Sequence, residues 1–211
     1  IDDFIMGKIS EYPIIHRVRT HSVDSYFTHY IGFNPANGVL EIDWLRNPEQ
    51  KLRTIQSGKI FYDGLSALQE IKNKLKWYPD DIWYYLLACQ WRRIDQEEPF
   101  VARCGDVGDE LGSRVVASRQ VKEIMHLCFY LEKEFAPYSK WFGTAFSRLQ
   151  CAQKLQPLLT RIFLQEHWKD REKILSEVYL ILAEMHNNLS ITAYIEPKIT
   201  NFHDRPYAVP Q

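Results

Sequence analysis

Between Arg92 and Arg119 the chain carries six carboxylates (Asp95, Glu97, Glu98, Asp106, Asp109 and Glu110) and five arginines (Arg92, Arg93, Arg103, Arg114 and Arg119). Opposite charges at this density have two physical uses. One is an ion-pair network that locks helices and their connection. The other is a polar pocket, in which arginine forks grip phosphate while a carboxylate takes the proton of an attacking hydroxyl. For the second use, Glu97, Glu98, Asp109 and Glu110 are the candidates to orient or deprotonate an acceptor hydroxyl. Arg103, Arg114 and Arg119, with Lys140, are the candidates to hold phosphate. Gly105, Gly108 and Gly112 strip bulk from the same stretch, either for close helix packing or for close approach of a ligand to the backbone. Gly112 falls inside an expected helix, where it costs about 1 kcal/mol relative to Ala and needs an offset.

Lys140 owes its place to "PYSKW". Pro137 breaks the preceding helix and Ser139 suits an N-cap, so Lys140 falls in a first turn, against the positive end of the helix dipole. An anion there would satisfy the ammonium and the free backbone N–H groups together. Without one, Lys140 is an ordinary surface lysine. Glu41 and Asp43 in "LEIDW" read as alternating acids on a strand, either a remnant of a carboxylate site or plain half-exposed strand. Trp83, Trp91 and Trp141 could stack on a base, but all three read as core, because Trp83 and Trp91 lie on a periodic apolar stripe. His16, His21 and His29 show no ligand spacing, and His126 and His186 read as helix-flank side chains making ordinary hydrogen bonds.

The elements that must position these groups are mostly helical. "IIHRVRTHSV" and "GVLEIDWL" read as strands, with a short helix over "SVDSYFTHYIGF" closed by Gly32 and another over "NPEQKLRTIQSG" closed by Gly58. From Ser66 the pattern is helical: Ser66 and Gln69 suit a capping box, Leu68, Ile71 and Leu75 repeat at helical spacing, and Pro79 ends the run. Asp80 and Asp81 favour the start of the next helix. That helix carries two apolar stripes, Ile82, Leu86 and Cys89 on one and Trp83, Leu87, Trp91 and Ile94 on the other. "RCGDVGDELGS" reads as a loop entering a long helix with Val121, Ile124, Cys128, Leu131 and Phe135 on its face. Further helices follow over "SKWFGTAFSRL", "AQKLQPLLTRIFLQ" and "WKDREKILSEVYLILAEMHNNL". The expected fold class is mainly α, a helical bundle with a small mixed α/β N-terminal segment. The chain divides into a mixed connector over 1–59, a helical domain over 60–190 and an irregular tail over 191–211.

A net charge of -1 in 211 residues argues against a surface that tracks phosphates by excess positive charge, and 45% hydrophobic residues supply a full core. Cys89, Cys104, Cys128 and Cys151 stand at wide spacing with no zinc-finger pattern, which suits a reduced, cytoplasmic chain. No apolar run is long enough to span a bilayer, so no membrane partner is expected. The chain opens on Ile1 rather than Met, as a piece of a longer polypeptide would.

"YPDDIWYYLLACQWRRIDQEEPFVARCGDVGDELGSR" and "LCFYLEKEFAPYSKWFGTAFSRL" resemble an uncharacterised helical domain family found C-terminal to nucleotidyltransferase cores of the polymerase-β type. The resemblance covers about Ile60 to Cys151. A similar arrangement occurs in aminoglycoside nucleotidyltransferases, where a helical domain closes over nucleotide held by the core. The resemblance implies a substrate- and nucleotide-clamping domain that assists metal-dependent transfer of a nucleotidyl group to an acceptor hydroxyl. It implies a nucleoside triphosphate and magnesium as ligands of the full protein, an unknown acceptor, and an upstream catalytic core as partner. Such a core carries a Gly-Ser turn followed by two acids one residue apart. Here the only Gly-Ser, Gly112-Ser113, lies in an expected helix with no such acids after it, so the core is expected before Ile1 and the chain alone is expected to be catalytically incomplete. The rival is a non-catalytic helical interaction or oligomerisation module. A third reading, from the Arg119-to-His126 spacing that resembles a family of helical ribonucleases, needs His126 beside Arg119 at the groove of a homodimer.

Overall fold

Ser22 opens the first helix, its hydroxyl accepting from the Ser25 N–H at 3.2 Å. In this computed structural model, which describes residues 18–201 and the backbone of 208–210, α1 runs over Val23–Ile31 and ends at Gly32 with φ 88°, a left-handed cap that glycine adopts without strain. The first four residues of the strand expected over "IIHRVRTHSV", His16 among them, lie outside the described residues; the rest is not a strand, since 18–22 have no regular structure and Val23 begins α1.

"GVLEIDWL" is not a strand. Its residues form α2 (Glu41–Arg46), because the Asp43 carboxylate accepts from the Leu40 N–H at 3.0 Å and both acids sit in a first helical turn, where the dipole favours them. Trp44 is buried, whereas Leu40, Ile42 and Leu45 stay exposed. Glu41 and Asp43 are therefore helix-start carboxylates. After α3 (Glu49–Ser57), the chain loops to α4 (Ala67–Lys74). Ser66 does not form the expected capping box: it adopts φ 58°, its side chain caps nothing, and Asp63 accepts from the Gln69 N–H at 2.9 Å instead.

Pro79 precedes α5 (Asp80–Glu97), which buries Ile82, Trp83, Leu87 and Ile94 but leaves Cys89 at the surface, so its first stripe is buried only at its start. The expected loop that follows is mostly helix, α6 (Phe100–Asp106). Gly105 permits it: a Cβ there would come within 2.0 Å of the Trp168 ring, so α6 lies tight against α10 (Trp168–Asn188). Only Val107 to Asp109 connect α6 to α7 (Glu110–Leu131), with Gly108 at φ 84°. The Asp109 carboxylate accepts from the Gly112 N–H at 2.7 Å, and a Cβ on Gly112 would lie 2.1 Å from that carboxylate. Gly105 and Gly112 thus serve packing and a helix cap.

Helix α7 is the central element, in contact with α5, α6, α10, α8 (Phe142–Phe146) and α9 (Ala152–Leu164). Its Ile124, Leu127, Cys128 and Phe129 are fully enclosed. Phe135, expected on its face, lies beyond its end and is still buried. The core is contiguous: Phe27, Ile31, Trp44, Leu52 and Ile55 join the same cluster as the helices from α5 onward. The tail is not wholly irregular, since β1 (Ile199–Asn201) pairs antiparallel with β2 (Ala208–Pro210), Thr200 opposite Val209. The fold is therefore a mainly α bundle, as expected, and the described part of its N-terminal segment is helical with no strand.

Candidate functional site

Most of the charge-rich stretch is engaged in holding the fold. Arg92 pairs with Asp95 one turn away, and Arg93 reaches Glu123 at 3.5 Å. Arg119 donates from Nε to Glu97 at 2.9 Å, joining α7 to the end of α5. Glu110 receives Arg171 and the Trp168 N–H, so it anchors the start of α10. Asp109 is the cap of α7. Of the four carboxylates proposed for acid-base work, three are thus bound to partners that the sequence sets far away or in the backbone.

Glu98 is different. It stands at the C-terminal end of α5, where one carboxylate oxygen, Oε1, is buried and has no hydrogen-bond partner among the described residues. It lines a groove of about 390 Å³ with Trp91, Ile94, Asp95, Tyr179 and Ala183. Burial, reinforced by the negative charge of Asp95, pushes its carboxyl up to about 8. The rest of the wall is held firmly. Trp91 donates from Nε1 to His186 Nδ1 at 3.1 Å, and burial holds His186 below its ordinary value, which favours the neutral ring that accepts this bond. Tyr179 donates to the Gln120 amide oxygen at 3.2 Å. Its phenol is pushed well above the ordinary range by burial and then by the charge of Glu98. Trp91 is therefore a groove wall as well as a core side chain. Trp83 is fully core and Trp141 is half-exposed.

The candidate phosphate ligands do not converge. Arg103 and Arg119 line one groove of about 590 Å³, but Asp106 and Asp109 line it too, and Arg103 lies over the Phe100 ring at 5.2 Å. Arg114 donates to the Glu166 carbonyl at 3.3 Å. Lys140 follows the far end of α7, in a 3-10 turn over Ser139–Trp141 that leads into the five-residue α8. Ser139 makes no cap hydrogen bond, so the expected helix N-terminus at Lys140 is not formed as such. Lys140 rests instead over the Trp141 ring at 5.3 Å.

Arg119 and His126 also part company. His126 Nε2 is 2.7 Å from Glu49 Oε1 and partly buried, whereas Arg119 points to Glu97. The Glu49 carboxylate also accepts from the Tyr130 hydroxyl at 2.8 Å and from the Ala136 N–H at 2.8 Å. Sequence reasoning missed this cluster, and the only signal for it was an acid in the first turn of α3.

Among the described residues no three or more His, Cys, Asp or Glu side chains are grouped as a metal site requires, and no helix is long and apolar enough to cross a membrane. No curated protein and no solved structure matches the chain. A family described as a domain of unknown function, DUF4037, does match residues 44–142, a stretch that begins at Trp44 in α2, ends at the first residue of α8, and holds Glu98 with the candidate acid-base and phosphate residues, while Glu41 and Asp43 lie just before it.

Proposed function

We propose that the chain is the acceptor-binding helical domain of a nucleotidyltransferase, with the groove at Glu98 as its acceptor site. The observation that carries this reading is Glu98 itself, a half-buried carboxyl with an unpartnered oxygen in a groove of mixed aromatic and polar lining. A carboxyl titrating at about 8 is a stronger base, once ionised, than an ordinary glutamate, and it suits removal of a proton from an acceptor hydroxyl. The described residues offer no donor set that fits magnesium. The reading therefore assigns magnesium and the carboxylates that hold it to a core beyond these residues.

The test uses the full-length protein with labelled nucleoside triphosphates, magnesium and a panel of hydroxyl-bearing small molecules. Transfer is expected to rise as pH goes from 6 to 8, because the ionised fraction of Glu98 rises over that window, and to fall about a hundredfold or more in Glu98→Gln. These 211 residues alone are expected to give no transfer. Unchanged activity of a folded Glu98→Gln variant, or turnover by the isolated chain, would count against the reading. A stability readout runs in parallel. Because the folded-state value of Glu98 is raised, the stability linked to its protonation is full below the ordinary glutamate range and is lost as pH rises through about 8. Glu98→Gln should therefore gain on wild type in thermal unfolding between pH 5 and 9.

One observation favours the second reading, an interaction module. On the loop between α3 and α4, Phe61 is 94%, Tyr62 87% and Leu65 90% exposed, which is unusual for large apolar side chains so close together. If that reading holds, Phe61→Ser with Tyr62→Ser changes the sedimentation mass of the protein, and Glu98→Gln does not.

A further inference from the structure

Apart from Arg103, which lies over the Phe100 ring, the arginines that the sequence singles out face carboxylates or carbonyls, yet a different groove carries positive charge with no such balance. It lies between the end of α1, the polar face of α3 and the turn that precedes α8, and it encloses about 510 Å³. Its walls include Tyr30, Lys51, Arg53, Thr54, Tyr138 and Trp141. Lys51 donates from Nζ to the Tyr30 carbonyl at 2.6 Å, and no carboxylate of the described residues forms an ion pair with it. Arg53 donates to the Phe135 carbonyl, and its counter-ion is the exposed Glu134 at 3.4 Å. The other nearby acid, Glu49, is turned inward to His126, Tyr130 and the Ala136 N–H. Lys140 is not part of the lining, but its ammonium lies over the ring of the lining residue Trp141 at 5.3 Å. Two lining cations and this neighbouring ammonium thus accompany one exposed carboxylate, Glu134.

The aromatic lining is equally unbalanced. Trp141 is 50% and Tyr138 47% exposed, so two large ring systems border the groove without being covered. An uncharged planar molecule would cover the rings and leave the ammonium groups in water, and a bare inorganic anion would do the reverse. One ligand class satisfies both. We infer that this groove binds a phosphate ester that carries a planar aromatic ring, with the phosphate at Lys51 and Arg53 and the ring against Trp141 and Tyr138. The 21 positions between Tyr30 and Lys51 put the two walls on different helices, and the contiguous core fixes α1, α3 and the turn together. The inference stands whether or not Glu98 serves a transferase.

Isothermal titration without metal, with adenosine triphosphate, inorganic tripolyphosphate and adenosine as separate probes, tests it. Wild type should bind adenosine triphosphate more tightly than either fragment. Lys51→Gln should weaken adenosine triphosphate and tripolyphosphate by about tenfold or more, the effect of losing one charge-assisted contact. Trp141→Leu should weaken adenosine triphosphate and leave tripolyphosphate unchanged. Arg161→Gln, an exposed cation of α9 outside the groove, should change neither. Because Lys51 also holds the Tyr30 carbonyl, each variant's unfolding temperature is measured first. If Lys51→Gln is unfolded, Lys140→Gln and Trp141→Leu decide. No heat from adenosine triphosphate at millimolar concentration with wild type would overturn the inference. So would affinities unchanged in the folded groove variants, or a loss in Arg161→Gln equal to theirs.

Discussion

Arg171→Leu is expected to remove about 3 to 5 kcal/mol of stability, the range for breaking a buried charged pair from one side. Arg171 is 1% exposed, and its guanidinium donates to Glu110, to Ser113 Oγ at 2.9 Å, and to the carbonyls of Gln165 and Glu166 at 2.9 and 3.1 Å. It therefore ties the start of α7 to the turn that leads into α10. Leucine fills part of the volume but leaves the Gln165 carbonyl and the Ser113 hydroxyl without this donor and the Glu166 carbonyl with Arg114 alone. Arg171→Lys is expected to recover little, since an ammonium cannot reproduce a fork that serves four acceptors. Urea unfolding at pH 7 measures the change, and a loss below about 1 kcal/mol would show that water replaces the guanidinium at little cost. The pH profile gives a second readout. Burial alone would raise the Glu110 carboxyl, but hydrogen bonds from Arg171 and the Trp168 N–H, with the charges of Arg171 and His167, hold it below the usual range. A depressed carboxylate contributes stability above its unfolded value and loses it as pH falls through its folded value. The wild-type decline in acid should therefore be steeper than that of Arg171→Leu.

Glu49→Ala is expected to cost about 2 to 4 kcal/mol, because three donors lose one shared acceptor. The carboxylate accepts from Tyr130 and Ala136 and pairs with His126, joining α3 to α7 and to the segment that carries Pro137. Unlike a surface pair, this one is largely screened from water, its two side chains 26% and 14% exposed. Burial, followed by the charge of Glu49, pushes the Tyr130 phenol far above its ordinary value, so the hydroxyl remains a donor throughout the alkaline range in which the protein would be handled. Glu49→Gln should fall between, since an amide oxygen can still accept from one or two of the donors but its NH2 opposes the third. Thermal unfolding of the two variants orders them. A Glu49→Ala protein as stable as wild type would mean that the turn before α8 is not held by this contact.

Helices with strong local grammar were legible in the sequence. Gly32 and Pro79 mark real ends and starts, and the stripe of Trp83, Leu87 and Ile94 is buried as its period implies. Alternation in "GVLEIDWL" implies a strand, but Ile42 and Leu45 are exposed and an Asp43 cap decides the local structure. The glycines of "RCGDVGDELGS" imply a loop, yet Gly105 continues a helix, since the Trp168 ring occupies the space a Cβ would need. No local pattern could show that contact. The candidate site was legible as a set of residues but not as a choice among them. Which carboxylate is unpartnered depends on Arg119, Trp168 and Arg171, supplied by other elements, and on the Gly112 N–H in the first turn that Asp109 caps. No local pattern sets Lys51 and Arg53 apart, since Tyr30, Tyr138 and Trp141 join them only through the tertiary fold.

The exposed loop between α3 and α4 separates along the chain what the core joins in space. A protease that prefers aromatic residues meets Phe61 and Tyr62 on a segment without helix or strand. A single cut there would leave an N-terminal fragment still bonded to the rest through Glu49 and Arg53, through Gln56, which donates to the carbonyls of Lys72 and Leu75 at 3.0 and 2.9 Å, and through Trp44, Leu52 and Ile55 in the core. The nicked protein should elute as one species in buffer and as two in denaturant. The domain can therefore be handled as a pair of complementing fragments, so that one half can be labelled or exchanged while the other is kept intact.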